Sequence, residues 1–119
     1  MPFVTFKTNL RLSAAQRNSL KAVMGKLTEL IPGKNERSLL LEIQDNTLFF
    51  YQGDDSTPMA FISIAVFNNR YQKGYAELGS ALSGTINNAL HIAPEHIFIQ
   101  YDNIDCFSVA GKTYVSEAN

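Results

Sequence analysis

The sequence predicts an α+β fold: two strand–helix–strand units side by side, forming one four-stranded mixed sheet with both helices on one face and short edge strands beside it. Three observations carry this. The order strand, helix, strand, short strand occurs twice, over residues 2–53 and 58–111, although the halves share few residue identities. Each half opens on a proline, Pro2 or Pro58, followed directly by a strand pattern. The third is the spacing itself, since strand–helix–strand units cross over with one hand and two of them place their helices on the same side of a common sheet. The 119 residues leave room for one domain, taken as residues 1–119.

Residues 2–7 alternate and are rich in Phe and Val, with Pro2 at the end of the strand, where a missing N–H costs least. Ser13 followed by Gln16 is a capping box, and Leu20, Val23, Met24, Leu27, Leu30 and Ile31 recur at helical spacing until Pro32-Gly33 breaks the helix. Residues 38–44 and 47–52 flank Asp45-Asn46 and read as a hairpin or a bent strand. A loop at 53–58 leads to the strand 59–67. The polar loop 68–74 then precedes a helix with Tyr75, Leu78, Leu82, Ile86 and Leu90 on one stripe. Ala93-Pro94-Glu95 breaks the chain before an alternating strand at 96–102, and Gly111 closes this half as Gly53 closes the first.

Strand 59–67 is apolar on both faces: Met59, Phe61, Ala65 and Phe67 on one, Ala60, Ile62, Ile64 and Val66 on the other. A two-layer domain leaves one sheet face open and polar. A short domain also hides its apolar residues poorly, so a second copy of the chain is the economical cover.

Composition narrows the partners. Ten Lys+Arg against eleven Asp+Glu give a formal net charge of -1, which provides no global field for a phosphate backbone. The longest apolar run, residues 59–67, falls far below the roughly 20 residues that span a bilayer. Thr5, Lys7, Thr8, Asn9 and Arg11 interrupt the region where a signal peptide would be apolar. The expectation is a cytoplasmic chain without nucleic-acid or membrane partners, export without a signal peptide remaining open. The single cysteine, Cys106, excludes an internal disulfide framework. His91 and His96, separated by a break, make a poor metal pair, so no cofactor is expected.

Several strings in this order resemble the macrophage migration inhibitory factor family of the tautomerase superfamily. They are Met1-Pro2 leading into a strand, Thr8-Asn9 after it, Gly33-Lys34 between the first helix and second strand, Ser56-Thr57-Pro58 before the third strand, and Ala93-Pro94-Glu95-His96-Ile97-Phe98-Ile99 entering a later one. The resemblance reaches from the start to about Val109. It implies a homotrimer with active sites at subunit interfaces, and keto–enol tautomerisation of small 2-oxo acids such as phenylpyruvate. The N-terminal proline is then the base once Met1 is removed.

By that resemblance Pro2 and Lys34 are the catalytic candidates. An α-amine titrates near about 7.7–8 in peptides, and an apolar pocket with a nearby cation would lower it toward the pH at which a base works best. Lys34 would hold the substrate carboxylate and stabilise the enolate. Phe67 would offer backbone groups. Phe98 and Gln100 stand where relatives often carry a tyrosine and an asparagine of the neighbouring subunit. Phe98 keeps the aromatic wall without its hydroxyl, and Gln100 keeps the amide on a longer stem. A C-terminal tryptophan of some relatives is absent, with Gly111 near its place and Tyr114 as a substitute. The Cys-x-x-Cys pair of some relatives is absent too.

The plain alternatives are a strand-end proline, a solvated loop lysine and ordinary packing residues. As a whole-protein rival, the same trimer could serve as a non-enzymatic, cytokine-like module with a protein partner. Phe49-Phe50-Tyr51 also invites comparison with RNA-recognition sheets, but the Arg/Lys-Gly-Phe-type strand motif is missing and the charge is slightly negative.

Overall fold

The computed structural model describes residues 1–116. The first unit is β1 (Pro2–Thr8), α1 (Ala14–Leu27) and β2 (Leu40–Gln44); the second is β3 (Ala60–Phe67), α2 (Tyr75–Leu90) and β4 (Ile97–Ile104). A terminal hairpin, β5 (Cys106–Val109) and β6 (Lys112–Val115), forms a separate two-stranded sheet. The main sheet has the order β2-β1-β3-β4. Each unit contributes a parallel pair, β1 with β2 and β3 with β4, and the units join through the antiparallel β1–β3 pair, which makes the sheet mixed as the repeat predicts.

Local chemistry sets the boundaries. The Gln16 N–H donates to the Ser13 hydroxyl at 3.1 Å and the Ser13 N–H to the Gln16 side chain at 2.9 Å, so α1 begins at its capping box. After Leu27 the chain tightens into a 3-10 turn, Thr28–Leu30. With fewer residues per turn the apolar stripe loses phase. Leu30 is therefore exposed, although the sequence periodicity includes it, whereas Ile31 is buried. Gly74 opens α2 with φ 82°, and a Cβ there would collide with the carbonyl oxygen of Leu30. The start of α2 and the end of the first helical segment thus meet through bare backbone. The Tyr101 hydroxyl donates to the Tyr75 carbonyl at 3.0 Å, with the two rings stacked, which ties α2 to β4.

Burial alternates along the central strands. Val4 and Phe6 of β1 and Ile62, Ile64 and Val66 of β3 are buried against Leu20 and Met24 of α1 and Leu78, Leu82 and Ile86 of α2. The opposite face of β3, carrying Phe61, Ser63, Ala65 and Phe67, is half-buried within the single chain.

One expected strand does not form within the chain. Beyond Thr47, whose N–H donates to the Thr8 carbonyl at 2.9 Å, residues 48–50 pair with no described strand, and a lone bridge joins Tyr51 to Asp54. Leu48 and Phe50 are 70% and 67% exposed, as an alternating strand would be with its edge and one face unpartnered. A strand pattern specifies the face of a segment, not the chain that supplies its hydrogen-bonding neighbour.

Candidate active site at the N-terminal end of β1

Pro2 is buried, pairs with Val66 across the β1–β3 ladder, and points toward the core side of the sheet together with Val4 and Phe6. Beyond it, the Phe67 N–H donates to the Met1 carbonyl at 3.1 Å. The ladder therefore continues one residue past the strand and fixes the first peptide bond.

Lys34 reaches the same place from the other side. Residues 31–34 form a reversal in which the Lys34 N–H donates to the Ile31 carbonyl at 3.1 Å, with Gly33 at φ 76°. Proline followed by a glycine of positive φ is the pattern of a type II turn, so the helix-breaking pair also aims the lysine. The side chain lies beside the terminal amine of Met1. Burial, then the positive charge of Lys34, then a hydrogen bond with Lys34 push that amine down from 8.0 to about 6. A neutral amine can accept from an ammonium, whereas two ammonium groups repel, so each cause favours the unprotonated form.

Pro2, Lys34 and Phe67 thus gather around the start of the chain. Phe98 and Gln100 do not. They sit opposite Phe61 and Ser63 on β3, whereas Pro2 sits opposite Val66. Five residues separate Phe61 from Val66, roughly 16 Å at strand rise. Phe98 instead contacts Tyr51 edge-to-face at 5.0 Å and lines an apolar cavity of about 280 Å³ with Phe49, Phe50, Met59 and Phe61. Within one chain these two residues belong to another place.

The sequence reading missed Phe107. Its ring meets Phe3 at 5.7 Å and Phe67 at 5.0 Å, both edge-to-face, and stacks on Tyr114 at 5.2 Å. Tyr114, considered only as a tryptophan substitute, is thus part of an aromatic cluster on the open face beside the N-terminus. The signal was a lone aromatic in an alternating tetrapeptide, Cys106–Val109, too short to stand out.

Other strings singled out in the sequence have structural duties. The Asn9 side chain donates to the Thr57 carbonyl at 2.8 Å and accepts from the Met59 N–H at 2.9 Å, and the Thr8 hydroxyl donates to the Met59 carbonyl at 2.7 Å. Thr8-Asn9 and Ser56-Thr57-Pro58 are therefore two sides of one staple. Asp54 in the same loop accepts from the Thr57 hydroxyl, the Ser56 N–H and the Ser56 hydroxyl, and these donors, the Thr57 hydroxyl first, hold its carboxyl at about 2. Among the described residues no group of three His, Cys, Asp or Glu could hold a metal ion. No helix among the described residues is long and apolar enough to cross a membrane.

Solved structures with the same fold include macrophage migration inhibitory factor 2 from Leishmania major, at TM-score 0.84 and 21% identity over 96% of this chain and 97% of that one. A migration inhibitory factor-like protein from Entamoeba histolytica gives TM-score 0.82 at 11% identity over 95% and 98%. Pt0534, solved after inactivation by 2-oxo-3-pentynoate, gives 0.80 at 18% identity over 92% of each chain. No curated protein sequence matches the chain. The family description "Macrophage migration inhibitory factor (MIF)" matches residues 1–115. With nearly the whole chain covered and the β-α-β repeat in place, the protein belongs to the macrophage migration inhibitory factor family.

Proposed function

We propose that the protein is a keto–enol tautomerase, an isomerase of small 2-oxo acids such as phenylpyruvate, whose base is the secondary amine of Pro2 after removal of Met1. The observation that carries this reading is that Lys34 and the Phe67 N–H meet on the residue before Pro2, the lysine at the Met1 amine and the N–H at the Met1 carbonyl. Removal of Met1 turns the amide nitrogen of Pro2 into an amine and releases the Phe67 N–H from the Met1 carbonyl. The same cut that makes the base frees a donor for the substrate.

In the reaction, the Pro2 nitrogen takes the proton from the carbon next to the carbonyl; the electron pair of that C–H bond forms the C=C bond, and the π pair of the C=O bond moves to the carbonyl oxygen. Lys34 and the freed N–H stabilise the developing charge. Pro2, now an ammonium, returns the proton to the oxygen, giving the enol; the reverse sequence ketonises it. Burial of Pro2 and the cation of Lys34 near the chain start are surroundings that disfavour an ammonium and suit a base working at neutral pH. The inactivation of Pt0534 by an acetylenic 2-oxo acid supports the substrate class by likeness.

The site is completed by Phe98 and Gln100 from a neighbouring copy in a homotrimer. Their distance from Pro2 within one chain, the exposed edge of residues 47–50 and the half-buried outer face of β3 support this assembly.

The test is ketonisation of enol phenylpyruvate, followed by ultraviolet absorbance, on protein whose intact mass proves that Met1 is absent. Catalysis that collapses in Pro2→Gly is expected. No turnover by the Met1-free protein overturns the enzyme reading, and specific capture of a protein partner would then favour the cytokine-like trimer.

A further inference from the structure

We propose that Phe107 is a positioning residue for the N-terminus: through this one ring the β5–β6 hairpin fixes where the terminal amine lies beside Lys34. The hairpin has little else to hold it. In β5 Phe107 alone is half-buried, and every residue of β6 is exposed. A two-stranded hairpin is marginal in water without a surface to pack on.

The ring touches the two residues that bracket the reactive end. Phe3 follows Pro2 in the chain and pairs with Ala65; Phe67 carries the N–H that donates to the Met1 carbonyl. Phe107 meets both edge-to-face, at interplanar angles of 77° and 71°, the arrangement that ring quadrupoles favour. Tyr114 backs it with an 18° stack, and Lys112 lies 5.5 Å from the centroid of the Tyr114 ring. Phe107 is thus a wedge set by the hairpin and driven between the side chains at the start of β1 and the end of β3. Because it acts on Phe3 and Phe67, it serves the chain with or without Met1. Its ring contacts are with Phe3, Phe67 and Tyr114, so it acts on the chain start through the two residues that bracket it.

The importance of this role rests on the reading that Pro2, once Met1 is removed, carries the reactive amine, and its test reads the placement of the chain start through the amine of Met1. Full-length, mass-verified protein bearing Met1 is acylated with acetic anhydride across pH, and modification of the N-terminus is followed by peptide mass spectrometry. The wild-type midpoint is expected near 6. Phe107→Ala should move it upward by at least about half a unit, toward the peptide value. Phe107→Tyr should restore it, and Tyr114→Ala, which leaves the Phe3 and Phe67 contacts in place, should leave it near the wild-type value. An unmoved midpoint in Phe107→Ala overturns the proposal, as does an equal shift in Tyr114→Ala, which would mean general loosening of the hairpin. If Phe107→Ala does not fold, Phe107→Leu, which lacks the ring, replaces it under the same criteria. A midpoint shift in the Met1-bearing protein, together with no tautomerase activity in the Met1-free protein, would refute the enzyme reading and leave the positioning role standing.

Discussion

The Phe67 N–H donates to the Met1 carbonyl at 3.1 Å, so the first residue of the chain occupies the donor at the end of β3. Two consequences of Met1 coincide there: the Pro2 nitrogen is an amide, and the strand-end donor is already used. Chain bearing Met1 should therefore be at least about a hundredfold slower in enol phenylpyruvate ketonisation than chain lacking it, the usual scale of losing a positioned base. Two mass-defined preparations assayed side by side check this. Equal rates would remove Pro2 from the chemistry.

Met1-bearing chain should also show a pH-dependent stability with a definite sign. Its amine titrates at about 6 when folded and near 8.0 when unfolded. Between those values the unfolded chain binds more protons, so stability rises as pH increases from 6 to 8. Below 6 both states are protonated and above 8 both are neutral, and the slope ends. Burial is the larger cause and Lys34 the second. Urea midpoints across pH 5–9 should therefore show a shallower rise in Lys34→Ala than in the wild type, with part of the rise retained. Groups common to both proteins cancel in the comparison, and identical slopes would separate Lys34 from the amine.

Asn9 holds the loop before β3 to the end of β1 with one side chain, donating to the Thr57 carbonyl and accepting from the Met59 N–H. Asn9→Ala leaves a part-buried backbone donor and a carbonyl without those partners, a cost of about 1–3 kcal/mol. The melting temperature should fall by roughly 4–12 °C. Activity per folded molecule should hold, because Asn9 lies by Ala60, at the far end of the ladder from Pro2. A melting temperature within a degree of wild type would show that the staple is redundant.

Asn9 also shows what kind of information the sequence carries. Helix limits, the turn that aims Lys34 and the alternation of β3 are local, and Ser13, Gln16, Pro32 and Gly33 spell them out through capping and turn chemistry. Thr8-Asn9 and Ser56-Thr57-Pro58 were legible as strings, but their joint purpose was not, since the bonds span about fifty residues of chain. Phe107 was illegible for the same reason: a ring in a four-residue strand gains meaning only when Phe3 and Phe67, distant in sequence, are brought beneath it. Residues 48–50 mark a further limit, with the right alternation for a strand and no strand partner among the described residues. Of the candidate site, all five residues were nameable through the resemblance; the fold gathers Pro2, Lys34 and Phe67 at the chain start and leaves Phe98 and Gln100 apart from them.

That last division yields a prediction about assembly. Leu48 and Phe50 are exposed on the unpaired segment, and Leu40 on the edge strand β2 is 58% exposed, so one chain presents an apolar edge that water should not keep. Phe50 also lines the cavity to which Phe98 belongs. A charge at this position would meet an apolar neighbour in any assembly that covers the edge, at a cost large enough to dissociate it. In Phe50→Asp, light scattering should report a particle near the single-chain mass of 13.2 kDa, against a multiple of it for the wild type. If Phe98 and Gln100 reach Pro2 only across an interface, tautomerase activity must fall with the mass. Activity retained in a monomeric Phe50→Asp protein would mean that Pro2, Lys34 and the Phe67 backbone suffice within one chain, and would strip Phe98 and Gln100 of their roles.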